Sequence, residues 1–189
     1  MKPHVISRNE LPASEAKWIT LEKIKYKDQD GRERFWEVAS RKTRKESGID
    51  AVAILTILQP KDKSPPAIVI LEQYRPPVDQ YVIELPADGG ETPEQAAIRE
   101  LKEETGFEAE GIIESSYLMV TSPGMSTANM KLVALRVPIE NENALKDLPE
   151  QVLEPGEYIV RKGFAIDARL SHFALGYHFS TQLGRGDVL

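Results

Sequence analysis

Residues 51–58 read Ala-Val-Ala-Ile-Leu-Thr-Ile-Leu, apolar at nearly every position. A run of this length without alternation predicts a strand buried on both faces. Elsewhere the rhythm changes. Residues 18–26 alternate loosely, Asp28-Gln29-Asp30-Gly31 is a turn signal, and residues 34–39 resume the alternation, which predicts a hairpin. Residues 61–66 are polar and proline-rich and read as a loop. Further strands are predicted at 68–74, 81–85, 112–120 and 131–137, the last two joined by Thr121-Ser122-Pro123-Gly124-Met125-Ser126. Residues 141–155 are polar and read as a loop, and 167–183, with Phe173, Leu175 and Tyr177, read as a closing helix. Strands and helices in this order, without internal repeats, give an α+β class.

Between the strands lies a helix with clear punctuation. Thr92 can cap it, Pro93 fits its first position, Gln95 completes a Thr-x-x-Gln capping box, and Gly106 supplies the left-handed stop. Ile98, Leu101 and Thr105 fall on one face. Glu100 and Glu104 stand one turn apart on another, with Glu103 beside them, and Arg99 can pair with Glu103 at i,i+4. Like charges at that spacing destabilise an isolated helix by a few tenths of a kcal/mol, roughly. A hard divalent cation removes the repulsion, and Mg²⁺ suits carboxylates on successive turns that share it with substrate phosphates. A solvated acidic face has the same composition, so charge alone does not decide between the two.

Composition narrows the classes. At 189 residues the default is one domain with a proper core. A formal net charge of −6, with no basic arm, argues against a nucleic-acid partner. The chain has no cysteine, which removes a disulfide framework and agrees with an intracellular location. Residues 1–9 lack the apolar stretch of a signal peptide, and no run is long enough to span a membrane.

Glu91, seven residues, then Arg99-Glu100-Leu101-x-Glu103-Glu104-x-Gly106-Phe107 resembles the Nudix box, G-x5-E-x7-R-E-U-x-E-E-x-G-U with U a bulky apolar residue. Other fragments, in order, resemble the eukaryotic ADP-sugar (ADP-ribose) pyrophosphatases of that superfamily. They are Lys17-Trp18, Phe35-Trp36-Glu37, Arg41-x-Thr43-Arg44-Lys45-Glu46, Glu72-Gln73-Tyr74-Arg75-Pro76-Pro77, Ile83-Glu84-Leu85-Pro86-Ala87, Ser122-Pro123-Gly124 and Pro155-Gly156-Glu157.

The resemblance implies a Nudix fold, a mixed sheet sandwiched between helices, with an N-terminal antiparallel hairpin that takes part in a homodimer. It implies a tail at 1–14, a strand region at 15–50 for dimerisation and adenine contacts, a hydrolase domain at 51–183 and a C-terminal tail at 184–189. It also implies Mg²⁺, with Mn²⁺ as a substitute, held by Glu100, Glu104, Glu103 and the Ala87 carbonyl. Glu91 takes a supporting role, Arg99 orients the glutamates, and Glu157 is a general base or metal contact. Arg75 is matched to a diphosphate contact. Trp18 and Trp36 are matched to the adenine, with Glu37 and Arg41 nearby, and Ser122 and Met125 to a substrate loop. The implied reaction is hydrolysis of a nucleoside diphosphate sugar to AMP and a sugar phosphate, with the cytoplasm and nucleus as compartments and neither nucleic acid nor membrane as partner.

Two departures from the pattern leave alternatives open. Leu85 stands where the box begins with glycine, because Glu84-Leu85-Pro86-Ala87 runs into Asp88-Gly89-Gly90-Glu91 about three residues early. Three residues span roughly 10 Å of extended chain, so this loop cannot take the family path unchanged. After Glu157 the chain also passes almost directly into Ala165-Ile166-Asp167-Ala168-Arg169, where relatives carry a longer segment. A nucleotide-sugar-binding protein without turnover, and a Nudix hydrolase for another nucleoside diphosphate derivative, remain as alternatives.

Overall fold

The computed structural model describes residues 3–44, 47–88, 92–141, 144, 165–166 and 168–185. Glu91, Glu157 and most of the expected 141–155 loop lie outside the described residues. In chain order the elements are β1 (Ile19–Lys27), β2 (Glu33–Arg41), β3 (Ala51–Pro60), β4 (Ala67–Ile68), β5 (Leu71–Arg75), β6 (Gln80–Glu84) and β7 (Ala87–Asp88). They continue with α1 (Pro93–Thr105), β8 (Gly111–Ser115), β9 (Met119–Val120), β10 (Asn129–Ile139), β11 (Ala165–Ile166) and α2 (Ala168–Arg185).

The apolar run becomes β3, at the centre of a mixed sheet. It pairs in parallel with β10, from Ala51 opposite Met130 to Pro60 opposite Ile139. Its other edge meets β4 and β7, both antiparallel, and β8 and β9 run antiparallel to β10. Strand alternation then splits the run between two layers. Val52, Ile54 and Leu58 pack with Val133, Leu135, Val137 and Ile139 of β10 and with Ala96, Ala97 and Leu101 of α1. Ala53 and Leu55 face the other way, against Met130, Ala134, Leu85 and Leu170 of α2. A strand covered on both sides cannot afford polar alternation, which is why the sequence shows none. The sheet between α1 and α2 is the expected α+β sandwich.

A second sheet contains β5 and β6 as an antiparallel hairpin, with β11 parallel to β6. The β5–β6 turn is tied down. Val78 N–H donates to Arg75 O at 3.1 Å, and Asp79, left-handed at φ 53°, accepts both the Tyr74 hydroxyl and Val5 N–H. Asp tolerates that conformation better than most residues. The β1–β2 ribbon, Ile19 opposite Arg41 through Lys27 opposite Glu33, is a sheet of its own.

Three expectations need correction. The strand expected over 68–74 is two pieces: β4 pairs with β3, and β5 pairs with β6, so the chain changes sheets at Val69-Ile70. The strand expected over 112–120 is likewise interrupted. Ser116 Oγ accepts Leu132 N–H at 2.9 Å, replacing ladder bonding with a side chain, and the pairing with β10 slips between Ala134 and Leu135. On α1, Ile98 does not join the buried stripe; it is exposed, while Ala97, Leu101 and Thr105 at i+4 spacing face inward. The adjacent alanines let the helix approach the sheet closely and rotate Ile98 to the flank.

Candidate active site

Helix α1 forms as its sequence dictates. Thr92 Oγ1 accepts Gln95 N–H at 3.3 Å and lies 3.0 Å from Gln95 Oε1, Pro93 opens the first turn, and Gly106 at φ 72° closes the last with its N–H on Lys102 O at 2.8 Å. These caps fix the phase of the helix, and the phase decides where each glutamate goes. Glu100 falls on the inward side and is buried, one residue from Leu101 at the core. Glu104 is one turn on and half-buried. Oε1 of Glu100 and Oε2 of Glu104 are both shielded from solvent. A fully solvated acidic face would leave every carboxylate oxygen in water, whereas here one oxygen of each is withdrawn.

Arg99 bridges the cluster, contacting Glu100 Oε1 and donating from Nη1 to Glu103 Oε2 at 2.7 Å. Burial works against its charge, but Glu100 and Glu103 outweigh that and hold its pKa above the ordinary arginine value. The contact with Glu103 is the i,i+4 pair that the spacing predicts. Ala87 pairs with Ala53 across β7 and β3, and Pro86 O accepts Ile54 N–H at 2.8 Å, so the backbone entering the box is held on the central strand.

Among the described residues no three His, Cys, Asp or Glu side chains converge as a ready-made metal cage. The donors fit a hard divalent cation in its other usual mode, in which one or two carboxylates and a carbonyl share it with water and substrate phosphates. Two withdrawn carboxylate oxygens at one-turn spacing, of which Glu100 Oε1 is also met by Arg99, are the observation that bears on this requirement.

Arg75, at the end of β5, is engaged with Glu84, at the end of β6. Its Nε and Nη2 both approach Glu84 Oε1, at 2.8 and 2.7 Å. In the sequence Glu84 stands out only as part of the fragment Ile83-Glu84-Leu85-Pro86-Ala87. The available signal is a basic residue just after one predicted strand, 68–74, and an acidic residue inside the next, 81–85.

The remaining candidates gather around the ribbon. Trp36 Nε1 donates to Gly124 O at 3.0 Å, Ala39 N–H to Met125 O at 2.9 Å, and Thr127 N–H to Ala39 O at 3.1 Å. The structure thus joins Trp36 to the loop bearing Ser122 and Met125, both exposed. Glu37 is opposite Lys23 while Trp36 is opposite Ile24, so alternation places Glu37 and Arg41 on the ribbon face away from Trp36. Arg41 Nη1 reaches Asp50 O at 3.3 Å. Trp18 precedes β1 at the far end of the ribbon, where its carbonyl accepts Lys42 N–H at 2.9 Å.

The sequence reading missed a polar hub that anchors this region. Arg44 grips Asp50 with two hydrogen bonds, Nε to Oδ1 at 2.9 Å and Nη2 to Oδ2 at 2.7 Å, and also donates to Thr127 O at 2.6 Å. Asp50 and Asn129 exchange backbone-to-side-chain bonds at 2.9 and 3.0 Å, and Asn129 Nδ2 reaches Gly48 O at 2.9 Å. Asp50 is held below the ordinary aspartate value, first by Arg44, against its own burial. The hub ties the exit of β2 to the starts of β3 and β10. An acid immediately before an apolar run was the available hint.

The likenesses to known proteins agree with this layout. Residues 49–161 match the NUDIX domain family. The chain is 42% identical to an uncharacterized Nudix hydrolase of Schizosaccharomyces pombe, with 94% of each protein covered. It is 38% identical to the ADP-ribose pyrophosphatase of Saccharomyces cerevisiae, over 93% of this chain and 84% of that one. For the ADP-sugar pyrophosphatase of Mus musculus the identity is 36%, over 82% of this chain and 71% of that one. The fold is similar to a crystal structure of an ADP compounds hydrolase, with a TM-score of 0.54 at 20% identity, covering 98% and 94% of the two chains. A family match across more than half of the sequence, together with relatives aligned over most of their length, establishes that this chain belongs to the Nudix family.

Proposed function

We propose that the chain is a Mg²⁺-dependent hydrolase that cleaves the diphosphate of ADP-ribose and related ADP-sugars to AMP and a sugar phosphate. The carrying observation is the shielded pair Glu100 and Glu104 on a capped helix, at the spacing of the box. The activities named for the yeast and mouse relatives supply the substrate class. Glu100 and Glu104 are the proposed principal ligands, with Glu103 a further or water-mediated one and the Ala87 carbonyl completing the set. Mg²⁺, or Mn²⁺ in its place, supplies Lewis-acid polarisation of phosphate oxygens and a lowered water pKa. Arg75 presents its outer edge to the diphosphate. Glu157 is the proposed general base on the attacking water.

The ribbon supports a homodimer with shared sites. Trp36 is opposite Ile24, and Trp18 lies six residues before Ile24, which is about 20 Å of extended strand. Two indoles that enclose one adenine must lie roughly 7 Å apart, twice an aromatic stacking distance of about 3.5 Å. Within one chain the two backbone positions lie well beyond that separation, which favours Trp18 of a second copy as the other half of the clamp. The ribbon region at 15–50 and the hydrolase domain at 51–183 are the proposed functional division, and the cytoplasm and nucleus the proposed compartments. Among the described residues no helix is long and apolar enough to cross a membrane.

Purified protein with Mg²⁺ should release AMP from ADP-ribose in preference to NADH or a nucleoside triphosphate. Glu104→Gln should lower that rate on the order of a hundredfold or more, as for removal of a group that stabilises the transition state. Calorimetric binding of ADP-ribose without AMP release would instead make the chain a nucleotide-sugar-binding protein. A preference for the dinucleotide or triphosphate would reassign the substrate.

A further inference from the structure

Arg75 and Glu84 form an ion pair with unequal burial. The Glu84 side chain is only 7% exposed and that of Arg75 45%. An ordinary surface pair leaves both partners in water and fixes neither. Here the carboxylate is withdrawn, and a withdrawn charge must be compensated where it stands. Its Oε1 takes Nε and Nη2, which lie along one edge of the guanidinium. Nη1 takes no part in these two contacts.

We infer that Glu84 is a positioning residue for Arg75: it holds one edge of the guanidinium so that the other is presented, in a set orientation, to the diphosphate. This rests on the proposed role of Arg75 as a diphosphate contact.

The surrounding backbone strengthens the inference. Arg75 is held from its own side by the tied turn, where Arg8 Nη2 donates to Pro77 O at 3.1 Å and Asp79 collects Tyr74 and Val5. Glu84 is held from the other side, because the chain passes at once into buried Leu85 and Pro86, whose carbonyl is bonded to β3. Three residues after Glu84 comes Ala87, the proposed carbonyl ligand. The pair therefore links the group that meets substrate charge to the segment that meets the metal. A flexible arginine pays its rotamer entropy when substrate binds; one already held by Glu84 does not.

The test is a double-mutant cycle on ADP-ribose hydrolysis by the full chain with Mg²⁺, with melting temperature recorded for each variant. Glu84→Ala should lower kcat/KM roughly tenfold, chiefly through KM. Glu84→Gln, which keeps the Oε1 acceptor, should recover part of the loss. In an Arg75→Ala background Glu84→Ala should cost nothing further, because its action passes through the missing guanidinium. An unchanged KM in Glu84→Ala, or an equal loss with and without Arg75, overturns the inference. If Arg75→Ala alone leaves kcat/KM unchanged, the diphosphate role of Arg75 fails, a result distinguishable from failure of Glu84. Should Glu84→Ala not fold, Glu84→Gln carries the same cycle with an intermediate rise in KM. Should hydrolysis be absent, calorimetric affinity for ADP-ribose replaces KM.

Discussion

The central strand pair and the N-terminal ribbon are built from strands of similar length, and both carry many large apolar side chains. In β3 and β10 these are buried on both faces, down to 0% exposure at Ile54, Val133 and Leu135. In β1 and β2 they face outward: Leu21 is 81% exposed, Phe35 58% and Trp36 49%, with Val38 buried. Apolar content is thus not what decides burial. A strand is covered only if a layer exists to cover it, and α1 and α2 supply one on each side of the central sheet. A two-stranded ribbon has no such layer and is marginal alone. Its bonds to residues 124–127 secure its edge but leave its side chains in water, and an apolar patch of this kind marks a surface that meets another molecule.

Substitutions should expose the contrast. Leu135→Ala, in a site packed on all sides, should lower unfolding free energy by about 3–4 kcal/mol in urea titration. At the junction of the two regions, Arg44→Ala should cost about 3 kcal/mol, because it strands the buried Asp50 carboxylate. Leu21→Ser should change the unfolding free energy of the separated chain by no more than about 0.5 kcal/mol, while sedimentation shows the proposed dimer dissociating. If Leu21→Ser costs the dilute chain as much as Leu135→Ala, the contrast is wrong.

Acid offers a gentler probe of the junction. Asp50 has a folded-state pKa below its ordinary 3.8, so its contribution is complete above that value and drains away as pH falls through the lowered one. Urea midpoints measured from pH 6 to pH 2 should fall at the acid end, and Arg44→Ala should flatten that fall.

The elements set by local rules were legible in the sequence. α1 was readable because Thr92, Pro93 and Gly106 act within one turn of their own positions, and β3 because burial on both faces removes polar positions. The break between β4 and β5 was not readable, since both pieces are good strand sequence and only their partners differ. Nor was the inward turn of Glu100: Ile98 is the larger apolar residue, but Ala96 and Ala97 decide which side meets the sheet. Glu100, Glu103 and Glu104 were found through their fixed spacing along one helix. The Arg75–Glu84 pair and the Arg44–Asp50–Asn129 hub depend on contacts between separate strands, which no single segment announces. The tryptophans were readable as a pair of candidates, but their separation along the ribbon needed the register.

The parallel pairing of β3 with β10 has a consequence for synthesis. Asp50 and Asn129, at the starts of these strands, are 79 residues apart. The whole stretch between them, including the carboxylate helix and the Arg75 turn, is a single crossover. As the ribosome releases the chain from its N-terminus, β3 emerges without its principal neighbour and must wait for the crossover to be made. Closing so long a loop precedes the reward of the pairing, so the central sheet is a late, slow event, and the apolar strand is a hazard for aggregation until it is complete.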